Sequence, residues 1–165
     1  MPEKGGDKLV ADDENPLKVS PEKIPGLKPA FRPDGTITAA SSSANADGAA
    51  ALILTRRSIA ERGGLPILAE FKAHATHSQD PAWFTTAPIP AIRKLLEKVE
   101  WSVADVDLFE INEAFAAVAM AAQHDLGIPR DKLLHALAQQ DAKRGVAALC
   151  IGGGEATAVA IERPS

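Results

Sequence analysis

Three consecutive glycines, Gly152-Gly153-Gly154, separate two short apolar runs, residues 145–151 (GVAALCI) and 156–161 (ATAVAI). Each run has the length of a strand and is shorter than an ordinary helix. Glycine reaches positive φ without a Cβ penalty, so the triplet suits a tight reversal that brings the second run back beside the first. The sequence therefore predicts an antiparallel strand pair near its C-terminal end. Upstream the periodicity changes. In residues 90–99 (PAIRKLLEKV), Ile92, Leu95, Leu96 and Val99 fall at helical spacing behind a proline, with the charges on the other face. Residues 103–111 lead into a strand, and residues 112–126 are alanine-rich and helix-favouring up to a stop at Gly127. A further helical stretch is expected over about 129–142. Helices alternating with apolar strands predict an α/β layer sandwich.

The first 35 or so residues carry many charges and several prolines and glycines without sustained periodicity, so little regular structure is expected there. Residues 49–55 (AAALILT) form a short apolar run bounded by turn chemistry, and they read as a buried strand. A helical turn over 58–63 ending at glycine and a second strand over 67–75 follow. The chain of 165 residues has 45% hydrophobic content, which fits one globular unit. Its formal charge of −4, with lysines and arginines scattered among carboxylates, argues against nucleic acid as a partner. No apolar run approaches the roughly 18 residues a membrane span needs, which makes the cytoplasm the expected location.

A single cysteine, Cys150, rules out an internal disulfide framework. Standing at a strand end before the glycine triplet, its thiol would sit in a turn without Cβ atoms, with amide N–H groups free to face an oxyanion. The competing reading is a small buried hydrophobe beside an ordinary turn. Asn112 lies where strand hands over to helix, either as an N-cap or as an amide that orients a water. His74, His77, His124 and His135 show no metal-ligand spacing, and no metal is assigned to them. The glycine turn does not follow the dinucleotide fingerprint, so the chain does not read as an NAD binder.

Four stretches, taken together and in order, resemble the signatures of the thiolase family. They are Lys28-Pro29-Ala30-Phe31 with Gly35-Thr36-Ile37-Thr38-Ala39, Asp47-Gly48-Ala49-Ala50-Ala51, Asn112-Glu113-Ala114-Phe115-Ala116, and Cys150-Ile151-Gly152-Gly153-Gly154. The resemblance covers nearly the whole chain from about residue 26. It implies an α/β, thiolase-like layered half-domain with a mixed sheet, incomplete. Residues 1–57 would be the tail end of the N-terminal and loop region, and 58–165 the C-terminal domain. The implied activity is acyl transfer on coenzyme A thioesters, condensing acetyl-CoA or cleaving a 3-ketoacyl-CoA, with a place in fatty acid metabolism and no resident cofactor. Cys150 matches the family's acid/base cysteine, Asn112 the asparagine that holds an oxyanion-hole water, Gly152 the glycine whose N–H faces the thioester oxyanion, and Ser43 a serine that contacts the pantetheine arm of CoA.

The chain departs from the family pattern at two places. The family's nucleophilic cysteine belongs to an N-terminal half that this sequence does not contain, so no acyl-enzyme can form here by the family route. The family's Gly-His-Pro segment is also missing: the stretches matching Asp131-Lys132 and Leu133-Leu134-His135 abut, leaving out roughly two dozen residues, somewhat more than an average strand plus an average helix. Three readings follow. The chain supplies the acid/base half to a separate N-terminal thiolase half; or it is a noncatalytic CoA-binding or assembly fragment; or it is an inactive truncated product. Loss of a strand predicts a marginal fold prone to homo-oligomerise.

Overall fold

The structure, a computed structural model, describes residues 19–133 and 141–164 together with positions 2, 3, 6, 7, 9 and 11. It separates into two compact units, Met1–Ala46 and Asp47–Ser165. Among its described residues the first has little regular structure, as expected. It holds two paired two-residue strands, a 3-10 helix over Pro21–Gly26 and another over Ala39–Ser41, where the Thr38 N–H donates to Ser41 Oγ at 3.0 Å.

Among its described residues the second unit is built on four strands and three α-helices: α1 (Arg57–Arg62), β1 (Glu70–Ser78), α2 (Pro88–Val99), β2 (Leu108–Ile111), α3 (Ala116–Leu126), β3 (Arg144–Ile151) and β4 (Glu155–Glu162). The sheet order is β1-β4-β3-β2. β3 and β4 form the antiparallel hairpin expected around the glycine triplet, β4 pairs antiparallel with β1, and β3 pairs parallel with β2, so the sheet is mixed. A parallel pair needs a crossover, and α3 lies on it.

Helix α2 follows from its sequence. Pro88 fits the first turn, where its missing N–H costs nothing, and Ile89, Ile92, Leu95 and Leu96 are all buried on one stripe. Burying each of these side chains is worth at most about 1.5–3 kcal/mol. They pack on sheet rows made small by alanine. One row reads Ala73, Ala160, Val146, Phe109 across the four strands, and the next Ala75, Ala158, Ala148, Ile111. Gly127, at φ +66°, closes α3 in the left-handed conformation expected of a terminal glycine.

The structure corrects several sequence expectations. Residues 49–55 form no strand and are not buried: Leu52, Ile53 and Leu54 are 81%, 88% and 86% exposed. Apolarity and length made this run look like a strand, but a strand exists only where a neighbour takes up its backbone N–H and C=O groups. The second strand spans Glu70–Ser78 rather than 67–75, because pairing from Glu70↔Glu162 to Ser78↔Glu155 sets its limits. The helix expected from residue 112 begins at Ala116, with Phe115 at its N-cap. Asn112 is therefore not the cap. Its N–H donates to Ala148 O at 2.9 Å, which keeps the chain extended one residue beyond β2. Of the helical stretch expected over 129–142, the described part is a 3-10 turn, Arg130–Lys132, held by Lys132 Nζ on Ala104 O and Val106 O. Leu133 then forms a parallel bridge with Phe109 on the outer edge of β2. Residues 134–140, His135 among them, lie outside the described residues.

Candidate active site

Cys150 and Asn112 stand at the carboxyl ends of neighbouring parallel strands. In open α/β sheets that end is where ligands gather, because the loops leaving the strands converge there. Ile111 pairs with Ala148, so Asn112 emerges from β2 level with the last residues of β3, and its side chain lies in an exposed position. The glycine turn follows immediately. Gly152 is exposed and a Cβ there would meet nothing within 4 Å, so its backbone is open to a ligand. Gly154 is different. It is buried at φ +89°, and a Cβ would come within 2.1 Å of the Gln79 carbonyl oxygen.

The Cys150 side chain shares a face with Ala148 and Val146, the face that α2 and α3 cover, and packs half-buried against the core. Burial pushes its thiol above the ordinary cysteine value, and a backbone hydrogen bond only partly offsets this. Cys150 is thus a protonated thiol near neutral pH. It suits a proton donor better than a ready base.

A further segment bounds the site that sequence reasoning had not singled out. Residues 79–87 run from β1 to α2, opened by Asp80, whose carboxylate accepts the Ala82 N–H at 2.9 Å. The Gln79 N–H donates to Gly154 O at 2.9 Å, and Phe84 meets Phe115 edge-on at 6.4 Å between centroids. This loop therefore touches both the glycine turn and the start of α3. The Asp80-Pro81 pair was its visible signal, since such pairs open turns.

Ser43 belongs to the first unit, where it is exposed in irregular chain. The structure brings together Cys150, Gly152 and Asn112 of the second unit. Among the described residues no three His, Cys, Asp or Glu side chains are placed to hold a metal ion. A cleft of about 430 Å³ opens elsewhere, between the C-terminal ends of α2 and α3, and none of these site residues lines it. No helix among the described residues is long and apolar enough to cross a membrane.

Residues 1–58 match the family model "Thiolase, N-terminal domain", and residues 65–134 match "Thiolase, C-terminal domain". The chain is 40% identical to an acetyl-CoA acetyltransferase of Allochromatium vinosum, covering 99% of this chain and 48% of the relative. The alignment runs over 189 positions against 165 residues here, so the relative carries residues within the matched span that this chain lacks. The fold is similar to the crystal structure of the Bacillus anthracis acetyl-CoA acetyltransferase, with TM-score 0.92 and 36% identity over 99% of this chain and 48% of that one. It is also similar to human mitochondrial 3-ketoacyl-CoA thiolase solved in complex with CoA, with TM-score 0.88 and 29% identity over 95% and 46%. The chain spans about half the length of the curated relatives it matches. With both thiolase models falling on it in family order and the fold matching at these scores, the chain belongs to the thiolase family.

Proposed function

We propose that this chain supplies the acid/base half of a thiolase-type acyltransferase acting on coenzyme A thioesters. The observation that carries the reading is the convergence of Cys150, the Gly152–Gly154 turn and Asn112 at one end of the sheet. In the cleavage direction a 3-ketoacyl-CoA loses its bond between the α-carbon and the keto carbon. The electron pair goes to the α-carbon as an enolate, and the keto-side acyl group goes to a thiolate nucleophile. The protonated Cys150 gives its proton to that α-carbon, releasing acetyl-CoA, and the shortened acyl group left on the nucleophile then passes to the thiol of a free CoA. The Gly152 N–H and a water on Asn112 stabilise the negative charge that builds up on thioester oxygens during these steps. The condensation direction runs the same proton in reverse and requires Cys150 to lose it first, which burial opposes.

The nucleophile must come from elsewhere, because the chain has one cysteine and that cysteine already has a role. An N-terminal thiolase half is the partner with the right chemistry. The exposed Leu52, Ile53 and Leu54 support this reading, for they end the segment that matches the N-terminal family model and have no covering neighbour in the second unit. Ser43 would contribute to CoA binding, no resident cofactor is needed, and the cytoplasm is the proposed location. The test is thiolysis of acetoacetyl-CoA by the chain alone and mixed with an N-terminal thiolase half. No turnover alone, turnover in the mixture, and its loss with Cys150→Ser would support the proposal. Turnover by the chain alone that disappears with Cys150→Ser would instead make Cys150 the nucleophile. An inactive mixture that still binds CoA would favour a noncatalytic fragment.

A further inference from the structure

We propose that Gln79 is a positioning residue for the Cys150 thiol, oriented by a proton-directed chain of hydrogen bonds that starts at Lys94 on α2. The third sheet row, beyond the two alanine-rich ones, reads His77, Ala156, Cys150, which sets His77 two strands from the thiol on the same helix-covered face. At about 4.8 Å per strand the two lie roughly 10 Å apart, too far for direct proton transfer. The influence of His77 must therefore pass through what it holds.

Lys94 Nζ lies 3.1 Å from His77 Nδ1. An ammonium group has donors only, so His77 Nδ1 must accept, and the imidazole proton must reside on Nε2. That nitrogen lies 3.2 Å from Gln79 Oε1 and donates to it. With the oxygen so engaged, the Gln79 amide nitrogen faces the other way. There it donates to Trp83 O and, at 2.9 Å, to Thr86 Oγ1. A fixed charge on the neighbouring helix thus decides which way one amide points, and that amide fastens the middle and the C-terminal end of the Pro81–Thr86 loop.

The same residue grips the glycine turn through its backbone. Its N–H bonds Gly154 O, and its carbonyl sits where a Cβ on residue 154 would be. Phe84, carried by the fastened loop, presses on Phe115 at the entry to α3. Residue 79 therefore ties together the 152–154 turn that follows Cys150, the 81–86 loop, which packs on β3, and, through Phe84, the start of α3. Freed of its side-chain bonds, the loop would loosen, admit water toward the thiol and relieve the burial that opposes its ionisation.

This inference rests on the reading of Cys150 as the functional thiol, but its test needs no turnover. Because Cys150 is the sole cysteine, alkylation by iodoacetamide followed across pH 7–10 reports on it alone. Gln79→Met keeps the side chain's length and removes its hydrogen bonds. It is expected to raise the alkylation rate at pH 8 about fivefold and to move the midpoint of the rate profile downward, as thiolate character and access increase together. Global loosening would relieve the same burial, so the change is read against the urea midpoint, and a rate and profile that shift only together with a fall in that midpoint would overturn the proposal. A Gln79→Met protein with the wild-type rate and midpoint would overturn the proposal. Should that variant not fold, Thr86→Val removes one of the two loop-side bonds and is read the same way, with a smaller change expected and an unchanged profile again decisive. Inactivity of the chain in thiolysis would leave these outcomes untouched.

Discussion

Residues 145–151 (GVAALCI) and 49–55 (AAALILT) are nearly interchangeable in composition, yet the first is a central strand and the second is exposed irregular chain. Strand β3 has β4 on one side and β2 on the other, two rows of its side chains under α2 and α3, and a clasp at its entry where Asp107 accepts the Arg144 N–H. The 49–55 segment has the same propensity and none of these neighbours. Local preference spans about 1 kcal/mol per residue at most, whereas pairing and burial supply the rest. A strand is therefore a property of its surroundings as much as of its residues. The family match sorts the two runs in the same way: β3 has its sheet neighbours in the second unit, whereas residues 49–55 fall in the stretch matching the thiolase N-terminal domain.

The contrast breaks most sharply at Phe109, which is fully buried, pairs with Val146 and carries the Leu133 bridge on its other side. Phe109→Ala is expected to cost about 3–5 kcal/mol, enough to abolish a cooperative urea transition in a marginal fold. A clean transition with its midpoint unmoved would mean the β2 edge is not part of the core. Next in size is Gly154→Ala. The new Cβ would strike the Gln79 carbonyl in a backbone at φ +89°, at an expected cost of about 2–3 kcal/mol together with displacement of the glycine turn. Urea melts beside Gly152→Ala, where the same atom meets open space, isolate the contribution of the contact.

The hairpin at 144–162 and helix α2 were legible because their signals are local: two short apolar runs across a glycine triplet, and apolar residues at helical spacing behind a proline. The fate of 49–55 was not legible, since nothing within seven residues states whether a neighbouring strand exists. Asn112 stayed open between an N-cap and a water-orienting amide for the same reason. Its N–H is taken by Ala148, a residue that arrives in the sheet only after a crossover. Within the site, Cys150 and the glycines stood out by rarity and conformational freedom. Gln79 did not, because its importance lies in partners on α2 and at Gly154 that are distant in sequence.

The clasp at the start of β3 makes a smaller, pH-dependent prediction. Asp107 Oδ2 accepts the backbone N–H groups of Arg144 and Lys143, each at 2.8 Å. The Arg144 bond is the main cause holding its carboxyl below the ordinary value, against a smaller opposing effect of burial. A depressed folded-state pKa contributes stability above the unfolded value of about 3.9, and that contribution is lost as pH falls through the folded value. Asp107→Asn should therefore cost about 1 kcal/mol at pH 7, a figure already reduced for the solvent around a half-exposed carboxylate. It should also flatten the loss of stability below pH 4. Urea midpoints of both proteins between pH 2 and 7 check this, and parallel curves would show that the clasp carries no charge-dependent stability.

The smallest effect on stability is expected where the residues look most important by composition. Ile53→Asp places a charge in an apolar run that reads as strand core, yet Ile53 is exposed and the substitution should change the unfolding free energy by no more than about 0.5 kcal/mol. The same substitution should matter when an N-terminal thiolase half is present. If residues 49–55 pair into that half's sheet, their amides will exchange rapidly in the isolated chain and slow on mixing, as backbone groups gain partners and Leu52, Ile53 and Leu54 leave water. Ile53→Asp would then abolish the slowing, because a carboxylate entering a sheet core without a partner opposes pairing. Hydrogen exchange of this segment, measured with and without the other half, thus asks whether a missing neighbour is all that separates it from β3. Exchange that stays fast in an otherwise active mixture would place the contact between the halves elsewhere.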